Sequence, residues 1–475
     1  MGKYYLDMEK YKQLARQAVA EGCVLLKNEN NTLPVKKGET VSVFGRIQLN
    51  YYKSGTGSGG LVNTRYVTGI LDALRQEKEI HVNEELAAVY EKWCEGHPFD
   101  KGKGWGQEPW SQEEMPLPDN VAKRAAQISD VALVIIGRTA GEDQDTKAEP
   151  GSYLLTEEEE AMIRTVSRHF TRTAVLLNVG NIIDMKWVET CKPSAVLYVW
   201  QGGMEGGSGV ADVLTGRVNP CGRLGDTIAR SIEDYPSSCF GDQYRNFYTE
   251  DIYVGYRYFE TTAKDKVLYP FGFGLSYTHF SMETLEFKED SDSVSLKIAV
   301  VNEGEFPGRQ VVQVYVNPPQ GVLGKPLRSL VSFAKTRVLM PGEKEEIPFT
   351  IWKKELASYD DSGATGHKSC YVLEEGIYRF FAGEDVRSAA LCGSFTQPEL
   401  KVTQQLEEAL APVTPFFRLK PEAVCGKKTT EEADDSLELE MEKEAVPLRT
   451  ISLADRIREN RPEAAACSGD KGITL

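Results

Sequence analysis

Three carboxylates, Glu142, Asp143 and Asp145, follow closely on the wholly apolar run Val131 to Ile136, which is closed by Gly137. A run of this kind predicts a strand buried on both faces of a parallel sheet. In open α/β sheets, ligand chemistry gathers outside the carboxyl ends of the strands. A carboxyl held there can act as a general acid when burial or a neighbouring negative charge raises its pKa toward neutrality. Asp143 and Asp145 could supply that charge, so Glu142 is the first catalytic candidate. The same residues also read as a solvated acidic loop, and spacing alone leaves both readings open.

A second candidate is Trp200-Gln201-Gly202-Gly203, which ends another expected strand on the same sheet edge. An aromatic face beside an amide suits a sugar ring and its hydroxyls, although a tryptophan at a strand end more often serves packing. The stretch from Gly55 to Gly60 formally satisfies GxGxxG, but the segment Ile47 to Ser54 separates it from the strand ending at Gly45. A dinucleotide fingerprint belongs directly at a strand-to-helix turn, so a mobile glycine-rich loop near a site is the better reading. The five histidines are dispersed and form no ligand pattern. No cofactor or metal is expected.

The elements that must position these residues follow from periodicity. Leu14, Ala18, Gly22 and Leu25 recur at helical spacing between Glu9 and Lys27, and Glu39 to Gly45 reads as the first strand. Helices are expected near Val67 to Gln76 and Asn83 to Cys94, with an irregular excursion from Gly96 to Pro118. Thr156 and Glu159 have capping-box spacing at the head of a helix carrying Ile163, Val166 and Phe170. Ala174 to Gly180 and Ser194 to Trp200 complete a parallel α/β sheet. After about Tyr277 the period becomes two, with strands around Val294–Val300, Val312–Val316, Ile347–Ile351 and Tyr378–Ala382, which predicts a β-sandwich of roughly 120 residues. From Gln397 onward the chain reads as a connector that wraps on something else or leads to something missing. Its acidic run Glu431 to Glu444 reads as a solvated face, and Ser452 to Glu459 as an amphipathic helix.

The chain has 475 residues, 41% of them hydrophobic, and a net charge of −16. That length accommodates roughly two to three domains, and that charge argues against nucleic-acid or anionic-membrane partners. No stretch approaches the ~18 apolar residues of a membrane span, and the charged N-terminus lacks the apolar core of a secretory signal. Nine scattered cysteines without a CxxC pair read as reduced thiols, and the expected compartment is cytoplasmic.

In combination, VALVIIGRTAGEDQD, YLLTEEEE, AVLLNVGNIIDM, AVLYVWQGGMEGGSGVADVLTGRVNPCGRLGDTIA, YTEDIYVGYRYFE and YPFGFGLSYTHF resemble the C-terminal α/β domain of glycoside hydrolase family 3, the β-glucosidase group. VVNEGEFPGRQVVQVYVNPP, KTRVLMPGEKEEIPFTI and EEGIYRFFAGED resemble its fibronectin type III-like companion. The resemblance implies an α/β sandwich domain over 1–276, an all-β fibronectin type III-like sandwich over 277–396, and a connector over 397–475. It also implies that Glu142 is the general acid/base and Asp145 a loop-organising carboxylate, with Asp143 where the family's second glycine stands. The expected substrate is a β-linked oligosaccharide or glycoside, with Asp145, Trp200 and Gln201 as substrate-binding candidates.

A retaining mechanism needs a second carboxyl about 5 Å away. In the family this nucleophile comes from a (β/α)8 barrel carrying a Ser-Asp-Trp-type motif. Neither that motif nor the barrel's Lys-His pair occurs here. The order of segments resembles the inverted arrangement with the barrel last, so the chain reads as cut where a barrel would begin. A separate barrel chain or a homo-oligomer would be its partner, and the isolated chain is expected to be nearly inactive. The alternative is a non-catalytic binding or assembly module left after loss of the barrel.

Overall fold

The computed structural model describes residues 6–57, 60, 62–104, 106–142, 145–239, 246–408, 410–422 and 438–450. The first part of the chain is built on α1 (Met8–Gly22), β1 (Val24–Asn28), β2 (Thr40–Phe44), α2 (Ile70–Gln76), β3 (His81–Val82), α3 (Glu84–Gly96) and α4 (Asp119–Ile128). It continues through β4 (Val131–Gly137), α5 (Glu157–His169), β5 (Thr173–Asn178), α6 (Trp187–Cys191), β6 (Ala195–Tyr198) and α7 (Gly206–Leu214). The sheet order is β1-β6-β5-β4-β2-β3. β2 to β6 are parallel, and β1 lies antiparallel to β6 at one edge.

Successive residues of β4 face opposite layers. Val131, Leu133 and Ile135 join the core under α1, α2 and α7, whereas Ala132, Val134 and Ile136 join the core under α4, α5 and α6. This two-sided burial is why the strand carries no polar residue. The same alternation explains a departure from the sequence reading. The first helix ends at Gly22, and the next residues form β1, in which Leu25 faces one layer while Val24 and Leu26 face the other. Leu25 fits helical spacing by coincidence, and burial on both faces selects the strand.

At the C-terminal end of β4 the fully buried Arg138 meets Glu159 in a bidentate pair, with both N···O distances 2.6 Å. Glu159 also accepts from the Thr156 backbone N–H, and Thr156 Oγ1 accepts from the Glu159 N–H, completing the capping box of α5. One carboxylate thus anchors a strand end and a helix start.

A ribbon of β7 (Ile228–Ala229) and β8 (Val267–Tyr269), with α8 (Tyr256–Thr262) between them in sequence, follows the sheet. The β-sandwich then comprises β9 (Phe280–Glu289), β10 (Ser293–Asn302), β11 (Val311–Asn317), β12 (Ser329–Lys335) and β13 (Lys344–Trp352), with β14 (Ser358–Asp360), β15 (Cys370–Leu373), β16 (Gly376–Gly383), β17 (Ala390–Gln397) and β18 (Lys401–Gln405). Sheets β13-β10-β9 and β12-β11-β16-β17 enclose Leu296, Ile298, Val314 and Phe380, while β14-β15-β18 form a small third sheet.

Beyond it, β19 (Phe417–Pro421) and β20 (Met441–Ala445) form an antiparallel ribbon. Leu419 N–H donates to Thr249 O (2.7 Å) and Leu439 N–H to Thr261 O (2.8 Å), so the connector lies on the first domain. Arg418 pairs with Asp361 (2.6 Å), Asp251 (3.3 Å) and Glu444 (3.0 Å). The end of the acidic run is therefore a strand with a paired carboxylate rather than only a solvated face. Residues 423–437, the segment 452–459 and Asp143 lie outside the described residues.

Removing Arg138 would leave Glu159 buried and unpaired. Arg138→Ala is expected to lower stability by roughly 3–5 kcal/mol, measured by urea denaturation.

Candidate active site

The loop carrying Glu142 leaves the sheet at Arg138, whose N–H donates to Asn178 O at the end of the neighbouring β5 (3.1 Å). Asn178 is fully buried and ties several loops together. Its Oδ1 accepts from Tyr52 N–H (2.8 Å), and its Nδ2 donates to Tyr52 O (3.0 Å) and Trp200 O (2.6 Å). A single amide can do this because it offers both donors and an acceptor.

Glu142 is exposed at this edge. The glycine-rich segment lies beside it: Thr56 N–H donates to Ala140 O (2.6 Å), and Thr56 and Gly141 form an isolated parallel bridge. Gly57 has φ +85°, and a Cβ there would fall 2.5 Å from the Cβ of Glu142. Glycine is needed at position 57 both for its backbone conformation and for this close approach. The pairing of residues 55–57 with the carboxylate loop has no signal in sequence spacing.

Gln201 reaches the same place. Its Nε2 donates to Arg138 O (3.1 Å), and a Cβ on Gly180 would fall 2.6 Å from Ala140 Cβ and 3.0 Å from Gln201 Oε1. Trp200 is half-buried with φ +52°, packs on Tyr198 with ring centroids 4.6 Å apart, and donates its indole N–H to Gly22 O (3.1 Å). Its polar edge is thus committed to the fold. Asp145 is exposed.

Beneath this edge lies a carboxyl that nothing in the sequence singles out. Glu114 is buried and accepts the backbone N–H groups of Arg46 (3.0 Å) and Met115 (2.8 Å). The Arg46 guanidinium itself donates to Glu113 O (2.9 Å) and His97 O (3.0 Å). Burial pushes the Glu114 carboxyl up to about 7, with the backbone N–H bonds opposing and the charge of Glu159 adding to the rise.

Residues 23–277 match the family model of the glycosyl hydrolase family 3 C-terminal domain, and residues 310–386 match a fibronectin type III-like domain. The fold and sequence define a two-domain assembly of an α/β sheet and a β-sandwich, and the chain belongs to glycosyl hydrolase family 3. A β-glucosidase of Ruminococcus albus is 50% identical over 471 residues, spanning 99% of this chain and 48% of that protein. The crystal structure of a β-glucosidase from Paenibacillus barengoltzii superposes with TM-score 0.93 at 50% identity, over 100% of this chain and 51% of that one. β-Glucosidase 3B of Thermotoga neapolitana, solved with α-D-glucose, gives TM-score 0.76 at 35% identity over 84% of this chain and 55% of that one. The chain therefore spans about half the length of these relatives. Among the described residues, no helix is long and apolar enough to cross a membrane.

The raised pKa of Glu114 has a defined effect on stability. Between its ordinary value of 4.5 and about 7, the unfolded chain has released a proton that the folded chain retains, so stability falls as pH rises through that window and levels off above it. The rise is worth on the order of 3 kcal/mol. Urea denaturation at pH 5 and pH 8 should show that Glu114→Gln loses this part of the decline relative to the parent.

Proposed function

We propose that this chain carries the acid/base half of a retaining β-glucosidase active site. The observation that carries the reading is the exposed Glu142 at the carboxyl edge of the parallel sheet, on a loop braced by Thr56 and Ala140. The similarity to β-glucosidases over nearly the whole chain supports it.

In this reading a carboxylate from the remaining half of the enzyme attacks the anomeric carbon of a terminal β-linked sugar. Glu142 protonates the departing glycosidic oxygen. It then takes a proton from water as that water displaces the enzyme carboxylate. Neither a metal nor a nucleotide takes part. Gln201 would accept a sugar hydroxyl through Oε1, Trp200 would offer a ring face, and Asp145 would organise the loop. The nucleophile belongs to a barrel domain outside these residues, supplied by a separate chain or by a longer form of this one. The α/β unit would occupy 1–276, the sandwich 277–396 and the connector 397–475.

The test is hydrolysis of an aryl β-glucoside by the purified chain alone and after mixing with the polypeptide encoded immediately downstream. Activity only on mixing supports the divided site, activity of the chain alone refutes the external nucleophile, and inactivity in both favours a binding module. In the active assembly, Glu142→Gln should slow hydrolysis of alkyl glucosides by roughly 10²–10⁴ while sparing activated aryl glucosides, whose leaving groups need little protonation. Equal losses on both substrates would argue against the acid role.

A further inference from the structure

The irregular excursion between α3 and α4 has no part in the proposed chemistry, yet one of its residues meets both ends of the loop that carries Glu142. Trp110 O accepts the Thr139 N–H (2.8 Å) at the start of that loop. At its far end, Lys147 Nζ lies 5.1 Å from the centroid of the Trp110 ring. Among the described residues the buried indole N–H has no hydrogen-bond partner, and the contact the ring makes with the loop is the one to Lys147.

The excursion is itself firmly anchored. Asp100 N–H donates to Gln112 Oε1 (2.7 Å), and Gln112 Nε2 returns a bond to Asp100 O (3.0 Å). The Arg46 guanidinium holds Glu113 O and its backbone N–H holds Glu114, while Met115 enters the core. The excursion also approaches the return limb of the loop: a Cβ on Gly151 would fall 2.5 Å from Ser111 Oγ.

We propose that Trp110 is a positioning residue for Glu142, clamping the two ends of its loop to a strap anchored by Arg46 and Met115. The proposal rests on the acid/base reading of Glu142 for its functional meaning, but the clamp can be tested without catalysis. A cation over an aromatic face restrains both partners, and releasing a restraint on an exposed loop raises its local opening.

Amide hydrogen exchange on the purified chain provides the test. Trp110→Ala, which removes the ring but keeps the carbonyl that Thr139 bonds, should accelerate exchange from Ala140 to Glu142 by roughly two- to thirtyfold, the range that loss of such a contact supplies. Trp110→Phe should restore most of the protection, and Lys147→Met, which leaves Trp110 in place, should give part of the acceleration. The segment Gly202–Gly206 on the same sheet edge should stay unchanged. Unaltered exchange in both Trp110→Ala and Lys147→Met would overturn the proposal, as would equal acceleration of the control segment or no recovery in Trp110→Phe. If Trp110→Ala fails to fold, Lys147→Met decides. Because no substrate is involved, a catalytically silent Glu142 would leave the outcome standing.

Discussion

The carboxyl edge of the sheet depends on the buried pair of Arg138 and Glu159. All five guanidinium donors are placed: Nε on Ser152 O, Nη1 on Gly137 O and Glu159, and Nη2 on Leu154 O and Glu159. Burying a charge away from water is costly unless its hydrogen bonds are replaced, and here they are. The pair therefore closes the chain between the end of β4 and the start of α5 into a fixed base. The loop bearing Glu142 departs from that base and returns to it.

The parallel strands are legible in the sequence because burial on both faces forces continuous apolar runs, and the capping box because Thr156 and Glu159 interact across one helical turn. β1 is hidden, since Leu25 satisfies helical spacing as well as the strand alternation that it shares with Val24 and Leu26. The glycine-rich segment is recognisable as unlike a nucleotide loop. That it lies near a site is anticipated, but its pairing with the loop of Glu142 is not readable, because Thr56 and Ala140 meet only through the fold. Glu114 is obscure for the same reason: nothing local marks a carboxyl whose burial is created by Arg46 and Met115. Arg418 lies in the segment read as a connector, and its partners Asp251 and Asp361 are distant in sequence.

The edge is braced by three unlike devices. Asn178 joins the segments at Tyr52 and Trp200 by side-chain amide bonds, Thr56 joins Ala140 by a backbone bond, and Gly57 provides room by lacking a side chain. The donors of Arg138 and Asn178 are all taken by protein acceptors, and Glu142 and Asp145 are exposed. Every donor of the two supporting side chains is thus engaged within the fold.

The ribbon of β19 and β20 spans both domains, with backbone bonds to Thr249 and Thr261 and an ion pair to Asp361. The chain leaves the first domain after β8, and the ribbon brings it back to touch that domain at Thr249 and Thr261. The path through the sandwich is thereby closed into a ring, and the two domains can swing apart only by breaking these bonds.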